Sequence, residues 1–266
     1  MSTYVFEQQW HLERDRLRSL ESTFHDNTTR VLSDRGIEPG ARCLEVGGGA
    51  GAIAWWLADR VGSAGQVVVT DLDPRFLSEH GRDNVDVWQH DITIDPLDPA
   101  SFDLVHGRAV LEHIPERRKA LARMIEATRP GGWVVVEDVF FGGPMSAVMS
   151  AVAAPPELAE LYSPITEAIA RIFSVVGADS TFAPRLPALM VELGLVDVGG
   201  QLFAPVLRGG GASDWVRLTL EHLRGSLVAN GLASEAEIEH ALGLFETGIC
   251  YLPPVMVSAW GRRPAA

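Results

Sequence analysis

The residues with the clearest capacity for chemistry lie in one stretch, Cys43-Leu44-Glu45-Val46-Gly47-Gly48-Gly49-Ala50-Gly51-Ala52-Ile53. The stretch predicts a short buried strand, a glycine turn and the start of a helix. The glycines allow a sharp turn and let a ligand approach the main chain closely. The free N–H groups of the following helix then point back at that ligand. Glu45 is unusual, because a carboxylate at the end of an apolar strand needs a partner. A cationic or hydroxylated ligand in the turn would be one such partner.

Two further acids close later strands at regular distances along the chain. Asp71 ends an apolar run 20 residues after Gly51, and Asp91 lies 20 residues after Asp71. An acid in the position of Asp71 can accept hydrogen bonds from both hydroxyls of a ribose. The spacing Gly47-x-Gly49-x-x-Ala52 satisfies the dinucleotide fingerprint, which is a weak signal on its own. Nicotinamide enzymes have no fixed acid in the position of Asp91, so the three acids together favour another cofactor.

These residues belong to an alternation of strands and helices that runs from residue 40 to residue 138. Strands are predicted at 42–46, 66–71, 85–91, 101–106 and 133–138, with helices at 50–61 and 116–128 and a further helix opened by Asp73 and Pro74. Such an alternation indicates a doubly wound α/β sheet. Later in the chain we predict helices at 182–193, 213–229 and 234–247, and strands at 195–207 and 250–260, the second broken by Pro253-Pro254.

Two later motifs connect this pattern to a known family. They are Gly107-Arg108-Ala109-Val110-Leu111-Glu112-His113-Ile114-Pro115 after the fourth strand, and Arg129-Pro130-Gly131-Gly132 before the fifth. With the glycine turn and the three acids, they resemble the class I S-adenosylmethionine-dependent methyltransferases over residues 40–138. The N-terminal layout and the long insertion look like those of bacterial natural-product methyltransferases. The resemblance implies a Rossmann-like seven-stranded sheet whose last strand is antiparallel, and S-adenosylmethionine as the cofactor.

The resemblance also implies a division of the chain and a set of cofactor contacts. Residues 1–36 are expected to form a helical lid, and residues 37–266 the methyltransferase domain, with a helical substrate-binding insertion over residues 139–183. The expected cofactor-binding residues are Glu45, Gly47, Gly49, Gly51, Asp71, Leu72, Asp91, Ile92 and Arg108.

Methyl transfer requires little from side chains, because the sulfonium of the cofactor is already a strong electrophile. The protein holds the nucleophile in line, excludes water and, for some acceptors, removes a proton. His113 is the best candidate for a base, since an imidazole suits proton removal from a phenol, amine or indole. Glu112 is a candidate for orienting His113 or the substrate. A structural role for His113 in tying its loop to the backbone remains an alternative.

Aromatic residues in the lid and the insertion suggest an apolar pocket for the acceptor. Tyr4, Trp10, Phe140 and Tyr162 are the expected substrate-binding residues, and packing of the lid on the body is the alternative role for the first two. We therefore expect a small, partly aromatic or apolar acceptor, such as an indole or a phenol, methylated on carbon, nitrogen or oxygen.

The composition of the chain argues against several kinds of binding partner. The 266 residues carry a formal net charge of −13, which argues against a general nucleic-acid or anionic-membrane binder. The two cysteines provide neither a disulfide framework nor a zinc site, and no metal is expected. The sequence shows no signal peptide and no run long enough to span a bilayer, so we expect a soluble, cytoplasmic protein, with a homodimer as an alternative to the monomer.

Two other functions remain open from the sequence. A nicotinamide-dependent oxidoreductase would need a Tyr/Lys or His relay, but the only lysine, Lys119, lies on an apparently solvated helix face. A non-catalytic protein that binds S-adenosylmethionine as a ligand is the second alternative, because catalysis needs so few side chains.

Overall fold

The computed structural model describes residue 6 and residues 10–78, 80–151, 156–210 and 214–265. The strands are β1 Arg42–Val46, β2 Gln66–Asp71, β3 Val85–Gln89, β4 Phe102–Arg108, β5 Thr128–Phe140, β6 Val196–Phe203, β7 Leu207–Arg208, β8 Cys250–Tyr251 and β9 Val255–Arg262. The helices are α1 Glu13–Ser33, α2 Ala52–Val61, α3 Arg117–Ala127, α4 Pro144–Ala151, α5 Pro156–Val175, α6 Leu186–Glu192, α7 Trp215–Ala229 and α8 Glu235–Glu246. None of the described helices is long and apolar enough to cross a membrane.

Seven of the strands form one sheet in the order β3-β2-β1-β4-β5-β9-β6. Strands β1 to β5 pair in parallel, and β9 pairs antiparallel with both β5 and β6. The predicted doubly wound sheet with an antiparallel last strand is therefore confirmed. Pro253 and Pro254 separate β9 from the short strand β8, as the sequence suggested.

The two faces of the sheet are covered by different helices. Buried residues of α1 and α2 pack on one face with β1 and β2, whereas α3 and α6 pack on the other with β4 and β5. Helices α5, α7 and α8 form a third apolar cluster beyond the carboxyl end of β5. That cluster stands next to the edge at which the parallel strands end, where ligands bind in open α/β sheets.

Two local predictions need correction. The helix expected after Asp73 is a single 3-10 turn, Pro74–Phe76, in which the Asp73 side chain caps the N–H of Arg75. The lid expected over residues 1–36 is helical from Glu13 onward but not at residues 10–12. Residues 10–12 instead form a turn, closed by a hydrogen bond from the Glu13 N–H to the Trp10 carbonyl.

Candidate functional site

A cavity of about 280 Å³ lies at the carboxyl edge of the parallel strands. The turns after β1 to β5 supply one side of the cavity, and α1 covers it from above the glycine turn. Helices α5, α7 and α8 supply the opposite side. Among the predicted site residues, those that line the cavity are Glu45, Gly47, Gly49, Asp71, Leu72, Asp91, Ile92, Arg108, Glu112, His113 and Tyr162.

The glycine turn has the backbone that its sequence predicts. Gly47 and Gly49 have φ values of 70° and 56°, a region that side chains rarely adopt. A Cβ atom on Gly47 would also lie 2.3 Å from Val110. Gly51 has a φ of 96° but lies outside the cavity lining, as the residue that precedes α2. A Cβ there would meet the ring of Trp55, so packing of the turn accounts for this glycine.

Asp71 is held by the main chain at the mouth of the turn. One carboxylate oxygen accepts the Gly49 N–H at 3.1 Å, and the other accepts the Asp73 N–H at 3.0 Å. Burial raises the pKa of this carboxyl group. Each oxygen keeps a second lone pair, so the carboxylate can still accept hydrogen bonds from ligand hydroxyls. Leu72 beside it is half exposed and lines the same cavity.

Asp91 and Ile92 form the third acid-bearing turn of the edge. The Asp91 carboxylate accepts the N–H and the hydroxyl of Thr93 at 2.8 and 2.6 Å. The Asp91 N–H donates to Asp95 at 2.7 Å. These bonds fix the turn, and the buried side chain of Ile92 gives it an apolar surface toward the cavity.

Glu45 has a protein partner that the sequence analysis missed. Its carboxylate lies 2.6 Å from Nδ1 of His106, and Nε2 of His106 lies 3.4 Å from the carboxylate of Glu137. All three side chains are buried. Burial alone favours the neutral imidazole, but the two carboxylates outweigh it and raise the pKa of His106 to about 9. Glu45 therefore already has a buried protein partner, and because it also lines the cavity, its contact with a ligand stays a prediction.

The far end of this network reaches α1 and the inserted strand β9. Glu137 accepts a hydrogen bond from the Ser258 hydroxyl and a longer one, 3.4 Å, from the Asn27 amide. Gln201 donates to the Asn27 carbonyl oxygen at 2.8 Å. Glu45, at the cavity, is thus tied through His106 to the other half of the sheet.

Helix α1 contributes a second acid that the sequence did not reveal. Glu21 is buried and accepts the Ala50 N–H at 2.9 Å and the Ala52 N–H at 3.4 Å. Its carboxylate therefore lies at the N-terminus of α2, where negative charge is favoured. Burial raises the pKa of Glu21. Arg108 ties the same helix to β4, because its guanidinium donates to Thr28 at 3.0 Å while lining the cavity.

The predicted catalytic pair lies in the 3-10 turn Leu111–His113 after β4. Nε2 of His113 is 3.3 Å from Oε1 of Glu112, and the other carboxyl oxygen of Glu112 accepts the Val139 N–H. Asp138 accepts the N–H groups of Val110 and Glu112 at 3.0 and 3.1 Å. Asp138 therefore fixes the turn, and Glu112 fixes His113.

Burial decides the charge of these groups. It raises the pKa of Glu112 to about 8, and burial together with the nearby Glu112 raises the pKa of Asp138 to about 8. Burial lowers the pKa of His113 to about 4. Near pH 7 the imidazole is thus neutral and able to accept a proton, and the two carboxyl groups beside it are largely protonated.

The four aromatic residues predicted to bind the substrate do not all lie at the cavity. Tyr162 lines the cavity, and its hydroxyl donates to the Leu252 carbonyl at 2.9 Å. Trp10 lies outside the lining and stacks on His222 with ring centroids 4.4 Å apart. Phe140 also lies outside it, because alternation along β5 turns its side chain toward the α3 and α6 face, whereas its neighbour Phe141 lines the cavity. Tyr4 lies outside the described residues.

The remaining wall of the cavity comes from the helices after β5. The described residues of this wall are almost all apolar, and none of them is charged: Phe141, Leu161, Tyr162, Ile165, Thr166, Ile169, Phe173, Trp215, Val216, Thr219, Leu220, Ala241, Phe245 and Pro254. The charged lining residues all come from earlier segments of the chain. The cavity therefore joins a polar half, at the strand ends, to an uncharged half.

Residues 44–134 match the model of the methyltransferase domain family. A relative named as the ubiquinone/menaquinone biosynthesis C-methyltransferase UbiE, from Idiomarina loihiensis, is 31% identical over 126 residues, 44% of this chain and 49% of the relative. Methyltransferase str2 from Strobilurus tenacellus is 35% identical over 102 residues, 37% of this chain and 35% of the relative. The alignments thus span half or less of these curated relatives.

Solved structures agree with the fold over nearly the whole chain. YcgJ from Bacillus subtilis has a TM-score of 0.61 at 16% identity, and the match covers 91% of this chain and all of that one. A phosphoethanolamine N-methyltransferase from Haemonchus contortus, solved with S-adenosylhomocysteine, has the same TM-score and identity and covers 99% of this chain and 60% of that one. The family match over β1 to β5, the three acid-bearing turns and the antiparallel last strand agree with one another: residues 44–134 match a methyltransferase domain, and the sheet is similar to that of solved methyltransferases.

Proposed function

We propose that this protein transfers the methyl group of S-adenosylmethionine, by direct displacement, to a carbon, nitrogen or oxygen nucleophile of a small, partly aromatic or apolar molecule. The observation that carries the proposal is the composition of the cavity. The glycine turn and the acids Asp71 and Asp91 line one half, the uncharged helical wall lines the other, and His113 and Glu112 line the same cavity.

The polar half fits the cofactor. The cofactor can approach the backbone of Gly47 and Gly49 closely, because these residues have no side chain. Asp71 retains lone pairs that can accept hydrogen bonds from the ribose hydroxyls. Asp91 and Ile92 provide an acceptor and an apolar surface for the adenine, and Glu45 and Arg108 lie at the turn end of the cavity lining. When bound, the cofactor supplies a methyl group on a sulfonium, which needs no further activation.

The protein then has three tasks toward the acceptor. The helical wall excludes water and holds an apolar body, which brings the nucleophile into line. His113, kept neutral by burial, receives a proton from the nucleophile where the acceptor has one to lose. Glu112 keeps the His113 ring in place through the 3.3 Å contact.

Two alternatives are weaker. A nicotinamide enzyme would require a proton relay beside the cofactor, and the family match favours the methyltransferases instead. A protein that binds the cofactor without catalysis would share the polar half of the cavity. Calorimetric titration with S-adenosylmethionine, S-adenosylhomocysteine and NAD distinguishes a methyltransferase from a nicotinamide enzyme. Incubation with methyl-labelled cofactor and a panel of phenols, amines and indoles distinguishes a methyltransferase from a protein that only binds the cofactor. Binding of NAD alone would overturn the proposal.

Replacement of Asp71 by alanine is expected to weaken S-adenosylhomocysteine binding by about 1–3 kcal/mol, because ribose hydroxyls lose their acceptor. Calorimetry of the folded variant measures this loss. The control is Asp86→Ala, since Asp86 is exposed on β3 and pairs with Gln66 away from the cavity. Equal affinity of the Asp71 variant and the wild type would remove Asp71 from the cofactor site.

Replacement of His113 by alanine is expected to lower kcat by about 10²-fold, toward the lower end for general bases because the pKa of His113 is low. The affinity for S-adenosylhomocysteine should change much less. Single-turnover methyl transfer measures the rate, and His240→Ala, an exposed position on α8, is the control. A rate near that of the wild type would return His113 to a structural role.

A further inference from the structure

Two polar atoms in the uncharged wall have no hydrogen-bond partner among the described residues. They are Nε1 of Trp215 and Oγ1 of Thr219. Both residues line the cavity and are buried, with exposed fractions of 5% and 7%. A buried donor without a partner costs free energy, and in native structures such a group often marks a place where something else binds.

Other polar side chains of the same wall do have partners. The Tyr162 hydroxyl donates to the Leu252 carbonyl, and the Thr166 hydroxyl bonds to the Tyr162 carbonyl at 2.8 Å and to Ser146 at 2.8 Å. A helical threonine commonly bonds to the carbonyl four residues earlier, as Thr166 does. Thr219 makes no such bond. Hydrogen-bonding capacity in this wall is therefore left open at Trp215 and Thr219.

The two residues occupy one face of a well-anchored helix. Trp215 and Thr219 are four residues apart on α7, so their side chains are neighbours. The Asp214 side chain caps the helix by accepting the N–H of Val216 at 3.0 Å, and it also accepts the Tyr251 hydroxyl at 2.6 Å. The Trp215 ring packs against Phe24 of α1, with centroids 6.0 Å apart. The pair is thus held in position before any ligand binds.

The chemistry of the pair and of its surroundings defines what it recognises. An indole N–H only donates, so its partner must be an acceptor, and a hydroxyl can either donate or accept. The described residues of the wall include no charged lining residue, and the charged lining residues of α1 beside α7, Glu13 and Arg16, are already paired with each other at 2.6 Å. A carboxylate or an ammonium group in contact with the wall would therefore be desolvated without a free counter-charge. The group that fits is an uncharged oxygen carried by an apolar body.

We propose that Trp215 and Thr219 recognise a carbonyl or hydroxyl oxygen on an otherwise apolar methyl acceptor and so determine which acceptors bind. This inference deepens the proposed function and rests on it, because the acceptor is placed in the helical half of the methyltransferase cavity. Acceptors with a charged group at that end are excluded.

Matched probes test this assignment directly. 6-Hydroxy-1-tetralone and 5,6,7,8-tetrahydro-2-naphthol share a ring system and a phenol but differ in one ketone. Two charged counterparts keep the phenol and replace the ketone at the same carbon: 6-hydroxy-1,2,3,4-tetrahydronaphthalene-1-carboxylic acid and 5-amino-5,6,7,8-tetrahydro-2-naphthol. Each probe is titrated into the full-length protein saturated with S-adenosylhomocysteine. We expect the ketone to bind about 10-fold more tightly than the ketone-free phenol, the range for one or two net hydrogen bonds.

Three variants connect the preference to the two residues. Thr219→Val keeps the shape of the side chain and removes the hydroxyl. Trp215→Phe keeps an aromatic ring and removes the N–H. Each of these variants should bind the two phenols with equal affinity. Thr219→Ser retains the hydroxyl and should retain the preference for the ketone. Ser226→Ala, at an exposed position of α7, is the control for the helix.

An NMR signal provides a readout that a merely structural role would not move. In ¹⁵N–¹H spectra, the indole signal that disappears in Trp215→Phe identifies Trp215. That signal should shift when the ketone is added and not when the ketone-free phenol is added. Equal affinities for the two phenols, tighter binding of the acid or amine, or no binding of the ketone would each overturn the inference.

Failure of the proposed function gives a different result. If S-adenosylhomocysteine does not bind, the cofactor assignment fails, and the probes are titrated into the protein alone. The preference for the ketone and its loss in the variants then still test the recognition site.

Discussion

Replacement of His106 by leucine is expected to destabilise the protein by about 3–5 kcal/mol, the cost of removing one partner from a buried ion pair. The imidazole lies between the carboxylates of Glu45 and Glu137, and all three groups are buried. Leucine fills much of the space but leaves two carboxyl groups facing each other without a cation. Either both must take up a proton or one must remain charged in an apolar interior, and both outcomes favour the unfolded chain.

Urea unfolding at pH 7 measures the loss, and His240→Leu at an exposed position is the control. A double-mutant cycle gives a sharper test. In a Glu137→Gln background one of the stranded carboxylates is already gone, so His106→Leu should cost less there. Equal costs in both backgrounds would mean that the imidazole is a neutral spacer rather than a shared cation.

A substitution at position 106 is also expected to affect the cofactor site. Glu45 lines the cavity, and His106 determines where its carboxylate lies. A folded His106→Gln variant should therefore bind S-adenosylhomocysteine more weakly than the wild type, although position 106 does not line the cavity.

Local patterns predicted most of the sheet, because the acids and glycines at the strand ends are read directly from sequence spacing. His106 shows what such patterns miss. It lies 61 positions from Glu45, and only the β1–β4 register places the two residues opposite each other. Nothing in the alternation of β4 reveals that register, so the sequence shows that Glu45 needs a partner but not that His106 supplies one.

The helical half of the cavity was the least predictable part for a related reason. Phe140 and Phe141 are adjacent, and alternation along β5 sends one to each face of the sheet, so an error of one position reverses the assignment. Glu21, Trp215 and Thr219 contact the site from helices that lie far from it in sequence. Their roles depend on how α1 and α7 dock, which amphipathic periodicity alone does not determine.

The stability of the protein is expected to fall steeply above neutral pH, by about 5 kcal/mol between pH 7 and pH 9. The pKa values of Glu112 and Asp138 rise to about 8 in the folded state through burial, and that of His106 rises to about 9 through its two carboxylate partners. In the unfolded chain the two carboxyl groups lose their protons near pH 4 and the imidazole near pH 6.5. The folded protein therefore binds more protons than the unfolded chain throughout this interval, so raising the pH favours unfolding.

His113 does not offset this trend. Its pKa is lowered to about 4, so it changes charge only below neutrality, where it makes stability fall as the pH is reduced toward 4.

Urea unfolding at pH 7, 8 and 9 measures how steeply the free energy of unfolding falls above neutrality. Glu112→Gln supplies a permanently uncharged side chain of the same shape and should make the slope shallower, whereas Glu116→Gln, an exposed neighbour, is the matched control. A free energy of unfolding that stays level from pH 7 to pH 9 would show that these buried groups do not hold their protons. The neutral surroundings assigned to His113 would then have to be abandoned, because a charged Glu112 at 3.3 Å would favour the imidazolium over the neutral base.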